Sequence, residues 1–410
     1  MSIRAGDILH VAGQNVLDRI QQGGLGNVNV PIDTIREVGN VEVVDKIAQE
    51  PDFTFSIQSF NVGTELMAFL TGKSGAQASG SFPGSSDPNG TEYNWLDCGF
   101  VNIASPWKNP ATGSAGVVEA GYLIPGYYPT KYSLNFGVTE DAGQKAELSG
   151  GSYYFGEFAP REEKFEGTGA AKAFETTDVT VHYRKGGSEG TTFRDVFGVI
   201  VAGQLQTEGV DYTVSGGNGS KAVVTFVEAP ANKADIRCAY FTSAAKSFPQ
   251  SVHASTQTLP GAVRGRNIVI KINDERIGGG QTFTLDASVE GEVERELGTE
   301  DIISYVVKGT DCSGTFTIRP KSRAEFFNVM NKITGVSKSE IFGWFNDHTV
   351  KLDVQIQNPK KPSEILKTVR VKDAKFQPPG EQAQVNSATD FALAYQSVNG
   401  TFSEFKGEAP

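Results

Sequence analysis

The sequence Thr54-Phe55-Ser56-Ile57 recurs late in the chain as Thr315-Phe316-Thr317-Ile318. Hydroxyl and apolar side chains alternate in both stretches, with the period of two that is typical of a strand with one buried face. Each strand is followed by a stretch in which apolar residues have helical spacing, at 62–72 and at 322–335. The recurrence predicts a duplicated β domain with one flanking helix in each copy.

Both helical stretches also carry end signals. Each closes with Thr-Gly, at Gly72 and at Gly335, and glycine takes the left-handed conformation after a helix without a steric penalty. Asn61 and Ser322 stand where an N-cap residue is needed, since their side chains can accept a backbone hydrogen bond. The pattern therefore predicts both ends of both helices.

Further landmarks recur in the same order along the chain. They are Gly13-Gln14-Asn15-Val16 with Gly265-Arg266-Asn267-Ile268, Arg36-Glu37-Val38-Gly39 with Arg295-Glu296-Leu297-Gly298, and Phe155-Gly156-Glu157-Phe158 with Phe402-Ser403-Glu404-Phe405. The alternative is coincidence among common residue types, which becomes less tenable with each further match in order. These matches predict a β-sandwich or barrel domain over 1–165 and a second copy over 262–410.

A third unit is predicted between the copies. Short β-type runs such as Val179-Thr180-Val181-His182-Tyr183 and Val223-Val224-Thr225-Phe226 alternate with glycine-rich turns. They predict a small Ig-like β-sandwich over 174–245, with polar linkers at 162–173 and 243–261. Two roles stay open for it: an exposed module that contacts a partner, or a neutral insertion at the surface.

Composition excludes several functional classes. The formal net charge of −11 argues against nucleic-acid binding, because phosphate contacts need clustered Lys and Arg. Cys98, Cys238 and Cys312 are far apart in sequence and form neither a CxxC pair nor a disulfide framework. The sequence contains no apolar run long enough to span a membrane. We therefore expect a protein without a bound metal and without membrane contact.

Enzyme motifs are also missing from the sequence. The four histidines form no HExxH pattern, and neither a GxSxG elbow nor a phosphate-binding loop occurs. The densest acidic cluster contains Glu292, Glu294 and Glu296, and two carboxylates on a β-sandwich can cleave glycosides. Their alternation is more typical of the solvated face of a strand. We therefore predict a non-enzymatic protein that needs no cofactor, with a glycan-cleaving enzyme as the weaker alternative.

The ordered landmarks resemble the tail tube proteins of long-tailed bacteriophages. The carrying residues are Arg36-Glu37-Val38-Gly39, the strand and helix over 54–72, and the closing stretch 132–158, with their counterparts in the second copy. The resemblance implies domains that join side by side into a ring, whose inner sheets form a barrel, and rings that stack into a hollow tube. A chain with two such domains would form a ring of three chains with pseudo-sixfold symmetry, and a ring of six chains is the second choice.

The resemblance also implies partners and a location. It implies contact with tape measure and tail terminator proteins, DNA that passes through without specific binding, a place in the virion tail, and assembly in the cytoplasm of the host bacterium. A capsid decoration or baseplate protein is the alternative structural role, since such proteins also use β domains and small Ig-like modules.

Two candidate sites follow from the resemblance. The long segment 72–91 is expected to be a ring-stacking loop that orders only on assembly, while a solvated loop is the alternative. Its candidate contact residues are Lys73, Ser74, Gly75, Ser81, Phe82, Asp87 and Asn89. The acidic residues Glu292, Glu294 and Glu296 are expected to face the lumen, where negative charge would repel passing DNA.

Overall fold

The computed structural model describes residues 9–12, 15–16, 20–25, 32–35, 45–48, 53–60, 66, 79–82, 92–94, 99–108, 115–138, 142–150, 154–156, 159–182, 197–217, 220–242, 263–295, 302–336, 344, 347–377, 380–382 and 390–409. The chain is mainly β and its sheets are largely antiparallel, which confirms the predicted fold class. Its strands form one large branched sheet system and a smaller unit with separate sheets.

The strands outside the smaller unit fall into a first half and a second half, before and after that unit in the sequence. The first half contains β1 (Leu9–Ala12), β2 (Asn15–Val16), β3 (Ile20–Leu25), β4 (Ile32–Ile35), β5 (Asp45–Ala48), β6 (Phe53–Ser59), β7 (Ser79–Phe82), β8 (Glu92–Asn94), β9 (Gly99–Lys108), β10 (Ala115–Gly137), β11 (Gly143–Gly150) and β12 (Tyr154–Gly156). In this half, β4 and β5 pair only with each other among the described residues.

The second half contains nine strands and a long helix, and Trp344 and Asp347 are helical as well. The strands and the long helix are β21 (Ile268–Ile272), β22 (Glu275–Ile277), β23 (Gly280–Arg295), β24 (Ile302–Ile318), α1 (Arg323–Thr334), β25 (Val350–Asn358), β26 (Lys361–Phe376), β27 (Gly380–Gln382), β28 (Asp390–Ser397) and β29 (Phe402–Lys406). A 3-10 turn over Gly265–Asn267 leads into β21.

Both halves pair their strands in the same order. In the first half, β9 lies between β1 and β10, β10 also pairs with β11, and β11 continues to β6 and β3. In the second half, β25 lies between β21 and β26, β26 also pairs with β28, and β28 continues to β24 and β23. The hairpins β1–β2 and β21–β22 correspond as well. The strand order is therefore repeated between the halves, while the predicted division into two duplicated domains stays a prediction.

Strand pairing corrects three of the matched landmarks. Aligned on the irregular pairs at the starts of β3–β6 and β23–β24, Gln58 corresponds to Thr317, so the match of residues 54–57 with residues 315–318 is shifted by two residues. Phe155, opposite Tyr122, corresponds to Glu404, opposite Val369, so its match with Phe402 is shifted by two residues as well. Ala12 pairs with Asn15 in the β1–β2 hairpin, as Ile272 pairs with Glu275 in the β21–β22 hairpin. Asn15 therefore corresponds to Glu275, and its predicted match to Asn267 is wrong. The sequence comparison matched residue types, whereas the register of a strand is set by its cross-strand partners.

The predicted second helix is confirmed, including both of its ends. The Ser322 hydroxyl accepts a hydrogen bond from the Glu325 backbone N–H at 3.1 Å, and Gly335 ends the helix with a φ of 72°. Phe326 and Met330 are buried, and the Phe326 ring stacks on Phe391 with centroids 4.2 Å apart. The predicted first helix lies outside the described residues except for Leu66, which is helical and buried.

Loss of the N-cap gives a modest test of this helix. We expect Ser322→Ala to lower the free energy of unfolding by about 1 kcal/mol, because the Glu325 N–H loses its acceptor. Ser322→Asp should preserve stability, since aspartate caps helices equally well. Urea denaturation of the three proteins measures the difference, and equal midpoints for Ser322→Ala and the parent protein would contradict the assignment.

The smaller unit, called the module below, is a two-sheet sandwich. Its strands are β13 (Ala159–Glu166), β14 (Ala173–Glu175), β15 (Val181–His182), β16 (Gly198–Val201), β17 (Gln204–Leu205), β18 (Tyr212–Gly216), β19 (Ala222–Phe226) and β20 (Asp235–Thr242). In one sheet β20 pairs with β13, β15 and β16, and in the other β19 lies between β14 and β18. Apolar side chains from both sheets, including Val199, Val224 and Tyr240, fill the space between them.

The start of the module differs from the predicted linker. All of β13 pairs with β20, and Ala173 pairs with Thr225 in β14, so the linker prediction is wrong for residues 162–166 and for Ala173. The rest of the three-domain division stays a prediction. One buried carboxylate of the charged run in β13 is well satisfied within the module. Buried Glu163 accepts hydrogen bonds from the hydroxyls of Tyr240 at 2.6 Å and Thr177 at 2.7 Å.

A separate apolar cluster attaches the module to the large sheet system. Leu123 and Tyr128 of β10 pack with Ile200, Ala239 and Phe241 of the module, and all five are buried. Tyr305 of β24 adds a stacked contact to Tyr128, with ring centroids 5.1 Å apart. The module therefore contacts strands from both halves.

Candidate functional site: the joint between the two halves

Direct backbone pairing joins the two halves. β10 pairs antiparallel with β23, from Lys131 opposite Ser288 to Gly137 opposite Thr282. The order β3–β6–β11–β10–β23–β24–β28–β27 therefore forms one continuous sheet that crosses from the first half to the second. We call the β10–β23 pairing the joint.

This sheet has one apolar face. At the joint, Tyr132, Leu134 and Phe136 of β10 are buried, as are Phe283 and Leu285 of β23. They belong to one hydrophobic core that contains residues of both halves. Because the core is continuous across the joint, the two halves are packed together as well as hydrogen-bonded.

The opposite face of the same sheet is hydrophilic. Side chains there alternate with the buried ones and are exposed or half-buried. We call it the polar face, and its residues are Thr54, Ser56, Gln58, Lys131, Ser133, Asn135, Lys145, Glu147, Ser149, Thr282, Thr284, Asp286, Ser288, Thr315, Thr317 and Gln396.

Short polar contacts organise the polar face. Thr282 and Thr317 hydroxyls are 2.9 Å apart, those of Thr284 and Thr315 are 3.0 Å apart, and Lys145 contacts Glu147 at 2.7 Å. Most of the face is hydroxyl and amide groups, and its charges have both signs. Such a surface differs from a nucleic-acid-binding site, where lysine and arginine cluster.

An ion pair lies at the edge of this face. Arg319 donates two hydrogen bonds to the Asp390 carboxylate, at 2.6 and 2.7 Å. The Arg319 guanidinium holds the pKa of the Asp390 carboxyl below its usual range. Both side chains are therefore charged at neutral pH and neutralise each other locally.

The predicted acidic residues lie on the same strand as part of the polar face. Glu292 and Glu294 are exposed on β23 and continue the alternation of Thr284, Asp286 and Ser288. Glu292 contacts Lys308. Glu296 lies outside the described residues, and the luminal role of all three stays a prediction.

The structure describes only part of the predicted ring-stacking segment. Ser81 and Phe82 lie in β7, where they pair with Ser403 and Phe402 of β29. Hence this part of the first half pairs with a strand of the second half in the same chain, and the pairing needs no neighbouring ring. Lys73, Ser74, Gly75, Asp87 and Asn89 lie outside the described residues, and the stacking role stays a prediction.

A group of buried polar side chains spans the two halves, and the sequence did not predict it. We call Tyr132, Gln144, Lys367 and Glu404 the buried polar cluster, because each is at most 1% exposed. The Lys367 ammonium lies 2.5 Å from Glu404 Oε1, and it donates to the Tyr132 hydroxyl at 3.0 Å and to Gln144 Oε1 at 3.2 Å. The Tyr132 hydroxyl also lies 2.8 Å from both Glu404 Oε1 and Gln144 Oε1.

The geometry of the cluster supports a joining role. Tyr132 and Gln144 come from β10 and β11, whereas Lys367 and Glu404 come from β26 and β29. Burying two opposite charges requires close partners, because each loses its hydration. The contacts between halves supply those partners, so the cluster favours one relative placement of the two halves.

Two further findings concern chemistry and membranes. Among the described residues, no cluster of His, Cys, Asp and Glu has the arrangement of a metal site, and none of the helices there is long and apolar enough to cross a bilayer. Cys238 and Cys312 are buried, and burial raises the pKa of both thiols. Cys98 lies outside the described residues.

Comparison with known proteins gives a structural similarity and no sequence match. No protein-family model matches the chain, and no curated protein matches it. Among solved structures, it is similar to the cap that terminates the tube of an anti-feeding prophage, with 10% sequence identity and a TM-score of 0.26, over 38% of this chain and 99% of that one. A similarity at this TM-score carries no conclusion about function.

Proposed function

We propose that the chain is a structural, non-enzymatic subunit of a bacteriophage tail tube. Three copies would form a ring of six similar halves, and rings would stack into the hollow tube through which DNA passes. The observation that carries the proposal is the joint, in which two similar halves are linked head to tail into one sheet with a polar face. Head-to-tail contacts of this kind generate rings when the rotation closes.

The polar face fits the wall of such a passage. Threonine, serine and amide side chains keep it hydrated, while its charges are partly paired within the face. DNA binds proteins mainly through phosphate contacts to lysine and arginine. A wall with few unpaired positive charges would let DNA pass without holding it.

Electron microscopy of the purified protein tests this proposal. We expect hollow filaments, or rings that stack when assembly is nucleated, and a mass of three chains for an isolated ring. A mass of six chains would support the hexameric ring instead. Only discrete compact assemblies under all conditions would contradict the tube and favour a capsid decoration or baseplate role.

Site-directed labelling tests which surface faces the lumen. Thr315 lies exposed on the polar face, and Val210 is 60% exposed on the module. We expect Thr315→Cys and Val210→Cys to react equally with a protein-sized maleimide conjugate in unassembled chains. In assembled tubes, Thr315→Cys should be protected from the large reagent yet react with a small maleimide, because the lumen excludes large molecules.

The Val210→Cys protein is the matched control for access to the outside, and the parent protein controls for its native cysteines. Equal labelling of both variants by the large reagent in tubes would place the polar face on the outer wall. That result would contradict the luminal assignment.

A further inference from the structure

We infer that neighbouring chains join through β27 of one chain and β3 of the next, in the register of the joint inside each chain. The inference rests on the proposed function, because it specifies the contact that would close the ring. Its partner is a second copy of this chain, and its evidence is the correspondence between strands of the two halves.

The first step is the correspondence of β10 with β26 and β27. The pairing of β10 with β11 is irregular between Pro129 and Lys131. In the second half, β28 pairs with β26 as far as Phe376 and with β27 from Gly380 onward. The register shifts by one residue between these two pairings. Aligned on this irregularity, Pro129 corresponds to Phe376 and Asn135 corresponds to Gln382.

The second step is the correspondence of β3 with the start of β23. The pairing of β3 with β6 is irregular between Ile20 and Gln22. That of β23 with β24 is irregular between Gly280 and Thr282. Aligned in this way, Gln22 corresponds to Thr282 and Gly24 corresponds to Thr284.

The third step compares the edges of these strands. Inside the chain, β10 and β23 each have a neighbour on both edges at the joint. Within the described residues, β27 pairs only with β28, and β3 pairs only with β6. The two edges that meet inside the chain therefore have counterparts, at the two ends of the sheet, that carry no further strand among the described residues. Open edges present unsatisfied backbone groups that favour pairing with another strand.

These correspondences fix the register between chains. Asn135 stands opposite Thr284 at the joint, and Leu134 stands opposite Leu285. In the corresponding contact, Gln382 stands opposite Gly24 of the next chain, and Glu381 stands opposite Leu25. Repeating one head-to-tail contact in this way propagates the same sheet from chain to chain.

The buried polar cluster distinguishes the two kinds of joint. By the same alignment, the positions of Gln144, Lys367 and Glu404 correspond to Phe391, Ala120 and Phe155. The position of Tyr132 corresponds in sequence to Pro379, which lies outside the described residues. No charged residue stands at any of these counterparts. At these four positions the joint within a chain has a buried ion pair, whereas the joint between chains has uncharged residues. This difference disfavours exchange of one joint for the other, because an unpaired buried charge is costly.

Disulfide trapping tests the inferred register. The Gly24→Cys/Gln382→Cys protein is assembled under the conditions that give filaments, oxidised with oxidised glutathione, and run on a denaturing, non-reducing gel. We expect covalent species of two and three chains, since directly opposed strand residues are close enough for a disulfide. The matched control is Asn135→Cys/Thr284→Cys, which occupies the corresponding positions inside one chain and should keep the mass of a single chain.

A shifted cysteine pair and the state of the filaments distinguish a wrong register from a wrong proposed function. Gln22→Cys/Gln382→Cys shifts the pair by two residues and should crosslink much less, so equal crosslinking would overturn the register. If the Asn135/Thr284 control closes its disulfide and Gly24/Gln382 gives only single chains, the inference fails. Filaments without this crosslink would leave the tube standing and refute the inferred contact. Crosslinked chains that never form filaments would support the contact and refute the tube.

Discussion

Replacing Glu404 with alanine is expected to lower the free energy of unfolding by about 3–5 kcal/mol. Glu404 is completely buried, and its Oε1 lies 2.5 Å from the Lys367 ammonium. After the substitution, the charged Lys367 stays buried with the neutral oxygens of Tyr132 and Gln144 as its nearest described partners. The cost is large because the buried ammonium loses the carboxylate that offset its lost hydration. Urea denaturation at neutral pH measures it.

An exposed ion pair of similar length provides the matched control. Lys145 and Glu147 are 2.7 Å apart on the polar face, with 45% and 38% of their side chains exposed. We expect Glu147→Ala to cost less than about 1 kcal/mol, because solvent screens exposed pairs. If Glu404→Ala costs no more than Glu147→Ala, the buried polar cluster does not stabilise the contact between halves.

A double substitution separates burial of charge from loss of packing. Lys367→Met with Glu404→Leu removes both charges and keeps side-chain volume in the core. We expect this protein to be clearly more stable than Glu404→Ala, since neutral replacements of a buried pair are often tolerated. The Tyr132 hydroxyl retains its contact with Gln144, at 2.8 Å.

The strand period around Lys367 and Glu404 indicates that both residues are buried, although their residue types suggest surface positions. Lysine and glutamate are normally surface residues, so Lys367 and Glu404 drew no attention as core positions. Yet Lys367 alternates in phase with Val369 and Val371, and Glu404 alternates in phase with Phe402, all of which are buried. Strand period alone therefore placed both charges on a buried face. Their partners could not be predicted, because Tyr132 and Gln144 come from the other half of the chain.

Local patterns predicted elements better than they predicted registers. The helix of the second half was predicted with its N-cap at Ser322 and its end at Gly335, because both signals act within one turn. The match of Asn15 with Asn267 failed because strand register depends on distant partners such as Ile272 and Glu275. The joint itself follows from contacts between β10 and β23, which no local pattern specifies.

Adding a single methyl group at Gly314 is expected to lower the free energy of unfolding by about 2–4 kcal/mol. Gly314 lies in β24, between β23 and β28 in the sheet that crosses the joint. A β-carbon there would overlap the Thr284 carbonyl oxygen and lie 2.5 Å from the Tyr395 hydroxyl. The Tyr395 hydroxyl donates a hydrogen bond to that same carbonyl at 2.9 Å. Gly314→Ala therefore forces strand and ring apart and disturbs this hydrogen bond.

Gly278→Ala is the matched control, because a β-carbon at Gly278 meets no atom within 4 Å. We expect that substitution to change stability by less than about 0.5 kcal/mol. A second variant, Gly314→Ala with Tyr395→Phe, removes the hydroxyl that crowds the new methyl group and should recover part of the loss. Equal urea midpoints for Gly314→Ala and Gly278→Ala would contradict the close approach of Tyr395 to β24. A large loss confined to Gly314→Ala would instead show that this glycine is required for the sheet beside the joint to pack.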